Sequence, residues 1–122
     1  MPSRPNDEEL LRTTVDLIEE RKGERPVAID LRQDSIPTSY FVVTSGDNPV
    51  HVKAIVSNFR EKFPVRMLQS EGTTERRWVI LDYGEIVVHV FLRETRDFYD
   101  IESLWADRIV PLPARTEPVP PG

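Results

Sequence analysis

The sequence predicts an α/β (α+β) fold, a single mixed sheet of about five strands with helices packed on it. Two stretches carry apolar residues at helical spacing, and several short runs are rich in β-branched and aromatic residues. Their order along the chain is helix, strand, strand, helix, strand, strand, strand, helix, which suits one layered sheet. The 122 residues are enough for one moderate core, and no internal repeat or second domain is visible.

The first helix follows Asn6, a candidate N-cap, with Glu9 three residues on as in a capping box. Leu10, Leu11, Val15, Leu17 and Ile18 form its apolar stripe, and Arg21-Lys22-Gly23 gives a basic last turn and a stop. Val27 to Leu31 suits a strand, Asp34-Ser35 with Pro37 a loop, and Tyr40 to Thr44 a second strand. Asn48 and Pro49 open the second helix, whose stripe is Val52, Ile55, Val56, Phe59 and Phe63. Pro64 ends it. Val65 to Leu68 reads as a third strand, and Arg77 to Asp82 with Glu85 to Leu92 as a hairpin. Both alternating sets of Ile86 to Leu92 are apolar, so this strand is expected to be central and covered on both faces. Asp100 is expected to cap a last helix, Ile101 to Ala106, with Leu104 and Trp105 docked on the body. The domain organisation is thus an N-terminal extension over 1–7, one domain over 8–108 and a proline-rich disordered tail over 109–122.

Composition removes several function classes. No apolar run approaches the ~20 residues of a membrane span, and the N-terminus shows no secretory or transit pattern, so a cytoplasmic protein is expected. The absence of cysteine removes disulfides, thiolate metal sites and a Cys nucleophile. Net charge is −5, and no basic block exceeds the dipeptide Arg76-Arg77. That argues against direct sequence-specific nucleic-acid binding and favours a basic partner.

His51 and His89 lie in different elements without a ligand partner at zinc-helix spacing. His51 is expected to be solvated on a helix, and His89 to be a satisfied interior or interface imidazole. The Ser45 to Pro49 turn has one Gly and no Walker lysine, so capping is favoured over phosphate binding. The alternative of a metal-dependent nucleotidyltransferase or nucleotide-binding enzyme needs converging carboxylates. Arg32 stands where a second acidic ligand would be expected beside Asp30, and Asp34 lies in a loop. An Asp82–His89 dyad would have to form across a hairpin with Tyr83-Gly84 as its turn. In that register Asp82 faces Glu85 and Trp78 faces His89, placing the dyad on the order of 20 Å apart. Trp78 and its acidic neighbours have the composition of a protein-binding hot spot, or Trp78 caps the core; the sequence supports both equally.

Five ordered blocks carry a family likeness: Tyr40 to Gly46, His51 to Ile55, Glu71-Gly72, Trp78 to Phe91 and Arg96 to Trp105. Together they resemble the ribosomal silencing factor family, also called the Iojap-like family, over roughly residues 8 to 107. The resemblance implies a nucleotidyltransferase-like fold without enzymatic activity or cofactor. It implies binding to ribosomal protein L-fourteen of the large ribosomal subunit. That binding would block joining of the small subunit and slow translation under nutrient limitation. It also implies a tendency to form homodimers. The binding face it implies maps onto Trp78, Tyr83 and Tyr99, and Asp82, Gly84 and His89 match the same pattern. Two positions depart from it: Ser39 replaces a usual Asp, and Val50 a usual Arg or similar polar residue.

Overall fold

A computed structural model describes residues 5–113. Helix α1 (Asp7–Glu20) begins where Asn6 accepts the Glu9 N–H at 2.9 Å, as the capping pattern predicts. The extension therefore yields its last residue to the helix. Leu10, Leu11, Val15, Leu17 and Ile18 are all buried. The basic residues fall beyond the last turn, and Lys22, not Gly23, takes the left-handed conformation at φ 56°. Gly23 serves close packing instead: a Cβ there would lie 2.5 Å from the Ile18 side chain and 2.7 Å from Thr44.

Strand β1 (Glu24–Asp30) starts earlier than expected, because a register shift between Glu24 and Val27 accommodates Pro26. Strand β2 (Tyr40–Gly46) leads to α2 (Pro49–Lys62), where Asn48 accepts the His51 N–H at 2.9 Å. The expected strand over Val65 to Leu68 is not formed. Strand β3 (Gln69–Glu71) lies just beyond it, since the segment after Pro64 first has to cross from the helix layer to the sheet edge. The hairpin strands are β4 (Trp78–Asp82) and β5 (Ile86–Leu92).

Two elements beyond the expected set follow. Helix α3 (Arg93–Tyr99) precedes α4 (Ile101–Leu104) and a 3-10 turn, Ala106–Arg108. Strand β6 (Ile109–Val110) then pairs with Ala28 and Ile29, so the ordered fold runs past residue 108 into the expected tail. The remainder of that tail, 114–122, and residues 1–4 lie outside the described residues.

The sheet has six strands in the order β3-β4-β5-β2-β1-β6, one more than expected. Only β2 and β5 pair in parallel; the other four pairings are antiparallel. Strand β5 is central and buried from Ile86 to Phe91, as its doubly apolar pattern requires. One face of the sheet carries α1 and α2 over Val42, Val79, Leu81, Val88 and Val90. The other face has no long helix: Ile29, Leu31, Val43 and Phe91 are covered by Trp78, Phe41, Ile101 and Trp105. This asymmetry leaves an aromatic surface at the β4 end.

Gly72, at φ 78°, holds the β3–β4 loop against β4: a Cβ there would lie 2.0 Å from the Trp78 carbonyl oxygen. Gly72→Ala should therefore cost about 2 kcal/mol or more, from the clash and the left-handed backbone together. Thermal denaturation followed by circular dichroism should show Tm lowered by several degrees.

Candidate protein-docking face

The hairpin register decides which side chains meet. Trp78 lies opposite Phe91, Ile80 opposite His89 and Asp82 opposite Val87. Three residues, Tyr83-Gly84-Glu85, separate the strands instead of the expected two. The reason is local. The Asp82 carboxylate accepts the Gly84 N–H at 2.8 Å while Gly84 takes φ 91°, which moves the turn one residue along to Gly84-Glu85, closed by Tyr83 N–H to Ile86 O at 2.9 Å, so every pairing lies two positions beyond the expected one.

This register corrects the dyad argument. Asp82 and His89 share one face as diagonal neighbours, so their Cα atoms are roughly 7–8 Å apart rather than on the order of 20 Å. The pair is still not an acid–base dyad, because both members are engaged elsewhere. Asp82 is bound by Gly84 and by the Gln69 amide at 3.3 Å. The His89 Nδ1 accepts the Trp78 indole N–H at 3.1 Å. In the neutral ring the proton therefore sits on Nε2, which is buried without a hydrogen-bond partner. Burial pushes the His89 pKa down to about 4, so the ring is neutral near pH 7. The expected satisfied imidazole is satisfied on one side only.

Trp78 caps the core and also keeps an open side. It is half-buried, stacked on Phe91 with centroids 4.8 Å apart, and its outer side meets Tyr99 at 5.1 Å. Phe98 meets Tyr99 edge-on at 5.0 Å and is 80% exposed, with Tyr99 at 52%. Trp78, Phe98 and Tyr99 line a groove of about 590 Å³ whose other walls include Glu75, Arg77 and Glu94. Leu104, expected to dock on the body, is instead 76% exposed, whereas Trp105 does dock, edge-on to Phe41 at 6.2 Å.

Tyr83 belongs to the opposite face. Its ring packs on Phe63 at 4.1 Å and Phe59 at 6.5 Å beneath α2, and burial pushes its pKa up to about 12. With 2% of its surface accessible, Tyr83 cannot share a contact patch with Trp78. His89 is likewise interior, and Gly84 shapes the turn. Of the six residues assigned to the binding face, Trp78 and Tyr99 present surface together, Asp82 is half-buried at the opposite end of β4 and does not line their groove, and Tyr83, Gly84 and His89 are supports. Phe98 is the member that sequence reasoning missed, since α3 was not foreseen.

What holds α3 is Arg96, which is 2% exposed. Its Nε and Nη2 donate to Glu102 at 3.1 and 3.2 Å, its Nη1 to Glu24 O at 2.9 Å and Ser45 Oγ at 3.3 Å, and its Nη2 to Arg25 O at 2.6 Å. All five N–H groups of the guanidinium thus have acceptors. The Arg25 carbonyl is presented by a left-handed residue, φ 41°. Glu24 is itself paired with Arg93 at the start of α3, which holds the Glu24 carboxyl below its ordinary pKa.

The remaining candidates are structural. His51 is not solvated: its Nε2 faces the Arg21 carbonyl at 2.8 Å and its Nδ1 the Asp47 N–H at 3.1 Å, tying α2 to the end of α1. Ser39 donates to Asp7 at 2.6 Å, so this departure joins β2 to the first turn of α1, while Val50 is simply exposed. The two carboxylates a nucleotidyl-transfer site would use are occupied. Asp30 is held bidentately by Arg32 at 3.0 and 2.8 Å, which lowers its pKa, and Asp34 is held by Arg108 at 3.2 Å. Among the described residues no group of three or more His, Asp or Glu is placed to hold a metal ion, and no helix is long and apolar enough to cross a membrane.

Residues 4–120 match the family model described as ribosomal silencing factor during starvation. This chain belongs to the ribosomal silencing factor family. A ribosomal silencing factor of Halalkalibacterium halodurans is 30% identical over 105 residues, covering 84% of this chain and 90% of that protein. A mouse protein named mitochondrial assembly of ribosomal large subunit protein 1 is 32% identical over 92 residues, 66% of this chain and 40% of its own length. A crystal structure of a Chromobacterium violaceum protein superposes with a TM-score of 0.78 at 29% identity, covering 93% of this chain and 95% of that one. The α+β reading with one mixed sheet is thus shared with a solved structure.

Two outcomes follow for this member of the ribosomal silencing factor family. Arg96→Met keeps the apolar stem but strands Glu102 and two backbone carbonyls, and should cost about 3 kcal/mol. Hydrogen exchange in residues 93–104 should lose protection before the sheet does. For His89 the folded pKa is depressed below the unfolded 6.5, so the unfolded chain takes up the proton first. Stability should be full above pH 6.5 and fall by roughly 3 kcal/mol as pH drops to 4, and His89→Gln should flatten that part of a urea-denaturation pH profile.

Proposed function

We propose that the protein is a non-catalytic repressor of translation that docks on the large ribosomal subunit through ribosomal protein L-fourteen. Seated there, it sterically blocks joining of the small subunit. The observation that carries this reading is the exposed Phe98–Tyr99 pair against Trp78, with Glu75 and Glu94 in the same groove. Clustered aromatics beside carboxylates suit a basic protein partner: the rings supply apolar area and the acids complementary potential. The family name and the mouse relative's name point to the ribosome and its large subunit. Occlusion requires a surface and no reacting group, which agrees with the engagement of Asp30, Asp34, Asp82 and His89 in structural bonds.

Purified protein should co-sediment with isolated large subunits and not with joined ribosomes, and adding it to separated subunits should reduce joining. Phe98→Ala, at a position 80% exposed, should leave Tm unchanged and weaken subunit binding about tenfold or more. Equal binding to small subunits, or undiminished binding by Phe98→Ala and Tyr99→Ala together, would sink the reading.

A further inference from the structure

On the helix side of the β3–β4 loop lies a second, smaller cleft with the opposite charge. It holds about 150 Å³ between α2 and the loop, and its walls include Lys53, Ser57, Arg60, Thr73 and Arg76 over the buried Val79. Lys53, Ser57 and Arg60 follow one another at four- and three-residue steps, so they form one stripe on α2. Across from them, Arg76 sits at φ 58° with its N–H bonded to Gly72 O at 2.9 Å, a left-handed backbone that a bulky residue adopts only when its surroundings impose it.

In a chain of net charge −5 this cleft is notable for what balances it. Arg25, Arg32, Lys62, Arg93, Arg96 and Arg108 each lie within ion-pair distance of a carboxylate. Among the described residues Lys53, Arg60 and Arg76 have no such partner; Arg12, Arg21, Lys22, Arg66 and Arg77 also have none, but Lys53, Arg60 and Arg76 line one cleft together, where Arg60 bonds the Ser70 hydroxyl at 3.3 Å. No carboxylate lines the cleft; Glu75, next to Arg76, lines the aromatic groove instead. Three unneutralised cations with two hydroxyls at hand form a site for a multivalent oxyanion. The volume is below the roughly 300–1,000 Å³ of small-molecule pockets, and no aromatic ring lines it to stack a base. One phosphate group fits these limits, and a free nucleotide does not.

We propose that this cleft is a phosphate subsite that takes a backbone phosphate of structured RNA, alongside the aromatic docking face. The identity of that RNA as large-subunit RNA rests on the docking reading. The loop Gly72 to Arg77 is the shared wall of both clefts, so a partner made of protein and RNA could be gripped on both sides of one short segment. Contact of this kind carries no sequence information, in keeping with an acidic protein that reads no bases.

The test uses the full chain and, as probe, a short RNA duplex of arbitrary sequence at low salt, followed by amide chemical shifts. Shifts should concentrate at Lys53, Arg60, Thr73 and Arg76, reverse on adding salt, persist in Phe98→Ala and vanish in the combined K53Q, R60Q, R76Q variant. Shifts absent there or centred elsewhere would overturn the proposal, as would an equal response to poly-glutamate or to inorganic phosphate at the same concentration of charge. In a second arm, binding to isolated large subunits is measured against salt. The triple variant should lower the slope of log K against log salt by about one, as loss of a phosphate contact does, while Phe98→Ala weakens binding without changing the slope. An unchanged slope in the triple variant would overturn the assignment to ribosomal RNA. RNA shifts without subunit binding would retire the docking reading and leave the phosphate site standing; subunit binding without RNA shifts would do the reverse.

Discussion

The proposed docking face depends on one buried guanidinium. Arg96 brings a full positive charge inside the protein, which is costly unless every donor is met and the charge is paired. Both conditions hold: Glu102 supplies the charge, and Glu24, Arg25 and Ser45 supply the remaining acceptors. The acceptors come from α4, the start of β1 and the end of β2, so a single side chain fastens a seven-residue helix to two strands. Helix α3 is too short to be stable by propensity. Without that fastening, Phe98 and Tyr99 would have no fixed position.

The sheet's two faces explain why such a device is needed. Helices α1 and α2 bring long apolar stripes to one face and bury it by packing alone. The other face receives only short segments, and its core of Ile29, Leu31, Val43 and Phe91 is closed by aromatic rings and polar bonds. Trp78 is the hinge between core and surface here. Its inner side stacks on Phe91, its indole N–H is fixed by His89, and its outer side meets Tyr99. Neutral His89 is what makes that fixation possible, because an imidazolium would lose the acceptor nitrogen that Trp78 uses.

Features of the chain governed by local chemistry were legible in the sequence. Asn6 and Asn48 cap where their spacing says they should, and the apolar stripes of both long helices are buried. Strands with β-branched runs formed, and the doubly apolar Ile86 to Leu92 is central. Features settled by tertiary bonds were not legible. The hairpin register turned on the Asp82–Gly84 bond, which moves the turn one residue along to Gly84-Glu85 and so shifts every pairing by two positions; Asp82 and His89 stay on one face but become diagonal neighbours, and Trp78 comes opposite Phe91. The segment Arg93 to Tyr99 has charged residues at most positions and no apolar stripe, so nothing periodic announces a helix; its anchor is an arginine whose partners are backbone carbonyls. Ile109 and Val110 form a strand only because β1 offers a free edge. Of the residues the resemblance assigns to a binding face, Trp78 and Tyr99 do line one groove, whereas Tyr83 points under α2, an orientation set by its packing on Phe59 and Phe63.

Net charge concealed the arrangement that matters for recognition. A value of −5 suggests one acidic surface, yet one side of the Gly72 to Arg77 loop carries Glu75 and Glu94 with Arg77, and the other carries Lys53, Arg60 and Arg76 with no carboxylate. The sorting has a backbone cause. Gly72 and Arg76 both take left-handed conformations, joined by the Arg76 N–H to Gly72 O bond, and this curl sends Glu75 and Arg77 to the groove and Thr73 and Arg76 to the cleft. The curl is in turn pressed against β4, where Gly72 lies too close to the Trp78 carbonyl for any side chain. Aromatic groove, basic cleft and loop are therefore fixed to the same strand, so their relative geometry is set in the free protein and little would be left to order for a partner of the kind proposed.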